Sequence, residues 1–420
     1  MKAGLKLFNN KKLTKNKEIV SYKKPKYVYI PLVNQNDTNI TPLVKKGDFV
    51  KVGSIIGKRK GNLRIPIHSS VSGKVIDFVE KPYLNGQMVK CIQIENDFEE
   101  TKEKREVKKL HQYTKEEFVH QLKSCGVIGM GGNGFPTYVK YDQDIPLHTL
   151  IVNATECEPY ITADYVLMMN HIEEILDTMD AIMEINHLDE VILAIKKSNQ
   201  KLWKMIHNYI GTYLKIKVVF VSDKYGIGWE RALVQEVKHI TYDKYPLEKG
   251  IVVNNVSTIY AIYQALKYGN ALTERIITFT GEMLKEPQNV IVKVGTPVSE
   301  VIESIGGYKR NNDIRFVAGG PMMGHTLPND ELVVSPNLNC VLVLKDWKQA
   351  EERPCIRCGK CVSVCPAKLC PVLIKDYQKN KRRLGELKPE KCVECGLCDY
   401  ICPAGIPLRE IIHSVKEGLK

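Results

Sequence analysis

A chain of 420 residues has room for two to four domains, each with its own core. Its 44% hydrophobic and 26% charged composition is that of an ordinary soluble globular protein, and no apolar run approaches the eighteen or so residues of a membrane span. The net charge of +13 raises nucleic acid or an anionic membrane face as partners, but its distribution argues against both. Residues 1–26 carry nine lysines against Glu18 alone, and a second basic patch runs from Lys379 to Lys391. Only Phe8 and Tyr22 stand among the arm's lysines and none in the second patch, too few for stacking on bases, so no nucleic-acid partner is expected. The arm reads as a solvated tail with some affinity for acidic partners. The first ten residues lack the apolar core of a signal peptide, so the expected location is cytoplasmic.

Tyr27-Val-Tyr-Ile-Pro-Leu-Val opens a β-rich segment. Short alternating runs follow, broken at Gly47, Gly53 and Gly57, in the manner of a biotinyl- or lipoyl-type sandwich of small hairpins. The nearest hairpin tip, Lys60-Gly61-Asn62, lacks the neighbours of a modified lysine, so a structural domain is expected rather than a swinging-arm carrier. Residues 95–117 form a charged connector and place a domain boundary. Thr114 with Glu117 predicts a capped helix start, with Phe118 and Leu122 on one face.

Gly126-Val-Ile-Gly-Met-Gly-Gly-Asn-Gly-Phe-Pro-Thr-Tyr-Val-Lys140 is a glycine loop. Without Cβ atoms, its N–H groups can approach a phosphate or an isoalloxazine ring, and Lys140 supplies charge. It is neither a Walker loop nor a clean Rossmann fingerprint, and tight turns use the same residues. From Ile151 to Val221, apolar strands alternate with helical stretches at 164–183 and 200–211, predicting an α/β layer with a parallel sheet. Asn153-Ala-Thr-Glu-Cys-Glu-Pro-Tyr160 follows its first strand, where open α/β sheets bind ligands. Ile251–Thr258 leads into a helix at 260–268. Residues 275–325 read as a small mixed β domain with a helix at 298–305. Its Gly319-Gly-Pro-Met-Met-Gly324 loop is turn-rich, and its methionines serve either packing or a cofactor.

Near the C-terminus, C-x2-C-x2-C-x3-C-P occurs twice, at Cys355, Cys358, Cys361 and Cys365, then at Cys392, Cys395, Cys398 and Cys402. This is the run of two-cluster bacterial ferredoxins, in which the fourth cysteine serves the other cluster. The expected ligand sets are Cys355, Cys358, Cys361 and Cys402 for one [4Fe–4S] centre, and Cys392, Cys395, Cys398 and Cys365 for the second. Zinc knuckles use paired C-x2-C units and need no third cysteine followed by C-P, which disfavours them. Cys91, Cys125, Cys157, Cys340 and Cys370 show no pairing pattern and read as reduced thiols. Cys370 lies close to a cluster motif and is either a spare thiol or redox-active.

In this order, Gly129-Met-Gly-Gly-Asn-Gly-Phe-Pro-Thr, Glu156-Cys-Glu-Pro-Tyr-Ile-Thr-Ala-Asp, Gly319-Gly-Pro-Met-Met-Gly and the cysteine repeat resemble the RnfC component of the Rnf electron-transport complex, from about residue 27 to the end. The middle also resembles the NADH-binding flavoprotein of respiratory complex I. The resemblance implies FMN and NADH contacts at Gly129, Gly131, Gly132, Gly134, Lys140, Asn153, Glu156 and Glu158, with Asn254, Asn255 and Thr258 near the flavin phosphate. It implies a multidomain α/β architecture: a barrel-sandwich-hybrid-like β domain (27–100), an α/β FMN/NADH-binding domain (114–250), a β-grasp ligand-binding-like domain (251–345) and a ferredoxin-like domain with two [4Fe–4S] clusters (351–420). Three departures stand out. Thr155 replaces the aspartate of complex I, Tyr225-Gly-Ile-Gly-Trp-Glu-Arg231 replaces a proline- and glycine-rich loop, and Phe8-Asn-Asn-Lys-Lys stands where the Rnf protein has Gly-Gly-x-His-Pro. The last two suggest a soluble paralogue, and the Gly-Trp-Glu-Arg segment is similar to that of the proline reductase-associated electron-transfer protein of amino-acid-fermenting anaerobes.

The function implied is oxidation of NADH through FMN, because nicotinamide reacts by two electrons and a cubane by one. Single electrons then pass through two [4Fe–4S] clusters to a partner. No side chain is required as acid or base for the hydride step. The partner is a soluble reductase of the proline reductase type or, alternatively, the membrane components of an Rnf complex, with the chain peripheral on the cytoplasmic membrane face. A flavin-free adaptor between redox proteins and a corrinoid-reactivating relative are the competing readings, the latter without any His-bearing cobalamin signature.

Overall fold

The computed structural model describes residues 4–35, 37–59, 61, 63–309, 313–346 and 351–419. Lys60 and Asn62 of the expected hairpin tip lie outside the described residues. After the N-terminal arm come two small antiparallel sheets. One has the order Phe49–Val50, Gly73–Pro82, Met88–Asn96, Tyr27–Pro31; the other has Ile40–Pro42, Ile55–Arg59, Pro66–His68. Alternating inward residues (Val28, Ile30, Ile56, Ile92 and Ile94) make their shared core. The last long strand runs through Glu95 and Asn96, so the charged connector begins two residues later than the composition suggests.

The expected helix cap is present. The Thr114 hydroxyl accepts from the Glu117 N–H and the Glu117 carboxylate accepts from the Thr114 N–H, closing both ends of a capping box. Helix Lys115–Ser124 then buries Phe118, whose ring meets Tyr141 edge-on at 5.0 Å. Such a pair adds about 0.5–1.5 kcal/mol beyond its burial and anchors the end of the glycine loop.

Behind it stands a four-stranded parallel sheet in the order Ile216–Val221, Glu190–Lys196, Thr149–Ala154, Ile251–Asn255. Its strands are apolar on both faces, as parallel strands covered by helices must be. Leu150, Val152 and Leu193 face helices Ala163–Ile185 and Val256–Tyr268. Ile151, Ile192 and Val253 face helix Glu230–Lys238. Because strand 251–255 pairs with strand 149–154, the α/β layer extends past the boundary expected at residue 250. Helix 256–268 also starts four residues earlier than periodicity indicates, because Asn255 caps it by accepting from the Ser257 N–H.

The third layer is a six-stranded mixed sheet of order Val20–Tyr22, Gln288–Lys293, Glu274–Thr280, Cys340–Lys345, Ile314–Ala318, His325–Leu327. Its first strand comes from the N-terminal arm, paired parallel with 288–293. The arm is therefore not a solvated tail. Thr14 is fully buried against Thr162, and Leu5 bridges to Tyr225. Lysines of the arm find carboxylates: Lys11 pairs with Glu156, Lys17 with Glu286 and Lys23 with Glu274. Composition shows the charge excess but not the acidic groups that neutralise it across the fold. The C-terminal segment consists of short helices around Leu369, Ile374, Leu384, Ile412 and Val415. Among the described residues, no helix is long and apolar enough to cross a membrane.

Candidate functional site

The strand order locates the site. From strand 149–154 the chain moves outward through 190–196 and 216–221, then returns to the opposite side of 149–154 as 251–255. The connections leaving the carboxyl ends of these two neighbours therefore diverge and open a crevice, the usual ligand position in such sheets. Asn153–Tyr160 and Asn254–Thr258 leave those two strand ends, and the glycine loop lies across them.

The loop is tied down at its rim. Gly129 N–H donates to Phe135 O at 2.7 Å, Gly134 N–H to Gly129 O at 3.0 Å, and Met130 N–H to the Thr258 hydroxyl at 2.9 Å. Gly132 and Gly134 have φ of +110° and +72°, which other residues resist. The amides of Gly131 and Gly132 donate to no described residue. A Cβ on Gly131 would stand 3.4 Å from the Asn255 side chain. Free amides beside a helix start suit a phosphate.

Lys140 is half-buried at the end of the loop. Its Nζ donates to Val253 O at 2.6 Å and lies 3.7 Å from the Glu230 carboxylate, and burial lowers its pKa against the pull of Glu230. Asn153 donates to Gly228 O and accepts from Thr155, so Thr155 serves to orient Asn153. Asn254 is committed to the Tyr141 hydroxyl, and Asn255 to Asp164 as well as its cap. These two asparagines and Thr258 thus brace the crevice walls.

The acidic stretch turns sharply, with Glu156 and Tyr160 at φ of +38° and +68°. Lys11 Nζ reaches across it to Glu156 O at 2.7 Å, Glu156 Oε2 at 3.2 Å and Ile161 O at 2.5 Å. Burial still raises the Glu156 carboxyl to about 7. Glu158 is likewise raised to about 7 by burial, against stabilising N–H donors from Met322 and Met323. The Met-bearing loop thereby acts as a clamp on Glu158. No sequence signal marked Lys11 among nine lysines. Glu230 and Tyr225 sat in a segment recognised only as a departure from the family pattern.

The clamp continues into the cysteine region. The Met322 and Met323 carbonyls accept from the Arg409 guanidinium at 2.9 and 3.2 Å. Arg409 lines a cavity with Cys365, Cys392, Cys395 and Cys398. Cys157, between the two glutamates, packs in one cluster with Tyr225, Met322, Leu397 and Cys395. A second cavity is lined by Cys355, Cys358, Cys361 and Cys402, with Cys370 also in its wall. Cys358 is exposed, and its neighbour Ile356 is 67% exposed. In both cavities the fourth cysteine comes from the other repeat. Four thiols in each are the donor set an iron–sulfur cubane takes. The free amides of Gly131 and Gly132, with Lys140 beside them, form a donor set a flavin phosphate and ring can use.

An α/β crevice of this kind joined to a double cysteine repeat defines the class: a flavo-iron–sulfur electron-transfer protein. Four family models match: the RnfC Barrel sandwich hybrid domain over residues 1–99, the Nuo51 FMN-binding domain over 122–264, the SLBB domain over 276–326 and the 4Fe-4S dicluster domain over 354–406. The chain is 35% identical to the C component of the ion-translocating oxidoreductase complex of Rhodobacter capsulatus, over 88% of this chain and 73% of that one. It is 32% identical to the C component of the Na(+)-translocating ferredoxin:NAD(+) oxidoreductase complex of Acetobacterium woodii, over 84% of this chain and 82% of that one. The chain belongs to the RnfC family. Its fold is also similar to a chain of the NAD+-reducing [NiFe]-hydrogenase crystal structure in the H2-reduced state. That likeness has a TM-score of 0.50 and 18% identity, covering 73% of this chain and 62% of that one.

Proposed function

We propose that the chain takes electrons from NADH at the glycine-loop crevice and delivers them one at a time to a redox partner through its two cysteine cavities. The observation carrying this reading is the contact path from Glu158 through the Met322–Met323 loop to Arg409, which joins the crevice to the Cys392 cavity. Held in the crevice, FMN would supply the exchange between two-electron nicotinamide chemistry and one-electron iron–sulfur chemistry. The chain's own residues position and shield. Gly131 and Gly132 offer amides to the flavin phosphate, Lys140 supplies a cation, and Asn153 holds the crevice edge. Glu156 and Glu158, with carboxyls raised to about 7, limit repulsion of an anionic nicotinamide cofactor at neutral pH. Cys392, Cys395, Cys398 and Cys365 would hold the near [4Fe–4S] centre, and Cys355, Cys358, Cys361 and Cys402 the far one. The far cavity, open at Cys358, is the side offered to the partner.

The relatives' names point to the other components of an ion-translocating complex as that partner, with the chain peripheral on the cytoplasmic membrane face. A second reading, a soluble reductase of the proline reductase type, rests on the Tyr225–Arg231 segment, which here packs against Thr155, Cys157 and Leu5. Anaerobically purified protein should contain about eight irons and one flavin, and its visible absorbance should bleach on addition of NADH. Eight irons without flavin and without a response to NADH would leave a relay fed by another protein. Lys140→Ala should weaken flavin retention about tenfold or more, the loss of one charge-assisted contact. Unchanged flavin occupancy would remove Lys140 from the site.

A further inference from the structure

A separate cavity of about 240 Å³ lies where the N-terminal β layer, the α/β layer and the mixed sheet meet. At about 30 Å³ of liquid volume per water, it has room for roughly eight waters or one small organic molecule. It opens on the face of helix 256–268 carrying Tyr260, Ala261 and Gln264, and neither the glycine amides nor Asn153, Asn254, Asn255 or Thr258 line it. Met130, the side chain inside the glycine loop, forms part of its wall.

The charges of this wall do not cancel. Lys293 pairs with Glu100 and Lys23 with Glu274, while Glu103 accepts from the Ser54 hydroxyl. Arg275 is 4% exposed, yet its guanidinium bonds only to carbonyl oxygens, those of Pro336 at 2.5 Å and of Met130 and Ile276 at 3.4 Å. Arg105 likewise donates to the Gly53 and Gly269 carbonyls. Neither arginine is in an ion pair among the described residues. The Asp164 carboxylate acts on Arg275 without contacting it and is itself held by Asn255 and Ser257, so the charge of this buried cation is only partly met and an anion in the cavity would complete its shell.

A second feature points to the same cavity. Helix 163–185 loses helical geometry at His171 (φ −137°, ψ 34°), with neither proline nor glycine at that position. Without proline or glycine, such interruptions arise at a π-bulge or where a side chain or water enters the helix ladder, and here the break turns His171 toward the cavity wall. The His171 ring lies 4.6 Å from that of Tyr260, tilted 35° to it, and both rings line the cavity.

We propose that this cavity binds a small organic anion, its charged end on Arg275 and its flat apolar part along Tyr260 and Ile276. Because Arg275 also reaches the Met130 carbonyl, occupancy adjusts the glycine loop from behind, and the site is an effector site distinct from the flavin crevice.

The test is calorimetric titration of the anaerobic holoprotein with phenyl phosphate, with benzyl alcohol as the neutral counterpart. Phenyl phosphate should bind once per chain and benzyl alcohol about tenfold more weakly or worse, the worth of one charge-assisted contact. Ala261→Phe, which fills the cavity without removing a hydrogen bond, should abolish binding while the melting temperature holds. Arg275→Gln should weaken it about tenfold or more, where that variant folds. Absence of binding, equal binding of the neutral compound, or binding undiminished by Ala261→Phe would overturn the proposal. So would release of flavin or displacement by NADH, which would place the anion in the crevice instead. A chain that lacked flavin but still bound phenyl phosphate in this way would lose the NADH reading and keep this one.

Discussion

The two cysteine repeats are near copies in sequence and opposites in surroundings. Gly396, in the Cys392 repeat, approaches the Met322 carbonyl so closely that a Cβ there would stand 2.7 Å from it. Arg409 ties the same region to the Met-bearing loop, and Cys395 packs with Cys157 and Tyr225. The equivalent glycine of the Cys355 repeat, Gly359, has nothing within 4 Å of a Cβ position, and Cys358 is exposed. One motif therefore serves as an internal contact and its twin as an outward one. A local pattern specifies which atoms a chain offers, and the neighbouring layers decide what those atoms face.

The contrast between the repeats is most severely tested by removing one cysteine from each. Cys395→Ser and Cys358→Ser should each lose about four of eight irons. With the near centre gone, NADH should no longer bleach the remaining iron–sulfur absorbance, whereas Cys358→Ser should still bleach and fail only in passing electrons outward. Equal bleaching in the two variants would show that near and far are not distinguished.

Next in expected size is the Lys11–Glu156 pair. Removing one partner of a buried pair costs about 3–5 kcal/mol when a charge is left unpaired. Glu156, already raised to about 7, can escape that cost by taking a proton. Lys11→Met should therefore destabilise the protein clearly at pH 8 and much less at pH 6, read as melting temperature. Lys12, exposed one position on, should tolerate the same change. A pH-independent loss would mean that Glu156 keeps its charge.

The same carboxyls give the intact protein a pH signature. Their folded pKa values lie above the unfolded ones, so the native state binds more protons. Their contribution is full below about pH 4.5 and is lost as pH rises through about 7. Thermal stability should fall between pH 5 and 8, and Glu158→Gln should flatten that slope. A slope unchanged in the variant would argue that Glu158 titrates normally. Smallest is Arg409→Ala, which should lower stability by about 1–3 kcal/mol and slow reduction of the near centre while leaving flavin content intact. Unaltered reduction kinetics would uncouple the clamp from electron delivery.

Much of this was legible in the sequence, for particular reasons. Phe118 and Leu122 follow a capping box, so their helix could be placed from Thr114 and Glu117. Asn153–Tyr160 could be assigned to a strand end because an apolar run precedes it and a turn-rich segment follows. The glycine loop, the double cysteine repeat and the family resemblance rest on spacing, which a linear chain carries in full.

What spacing could not carry was who faces whom. Residues 1–26 looked like a free basic tail because the carboxylates that receive their lysines lie more than a hundred positions away, at Glu156, Glu274 and Glu286. Strand 251–255 looked like the start of a new domain because its partner, strand 149–154, precedes it by about a hundred residues. Thr155 stood out only as a departure from the aspartate of complex I, and its bonds to Asn153 appear only in the fold. The cavity behind the glycine loop had no linear trace, since its walls come from three layers. Periodicity, caps and ligand spacing act over a few residues, so they can be read along the chain before it folds. Charge pairing, strand order and cavities join residues far apart along the chain, and they come into being only when the layers pack.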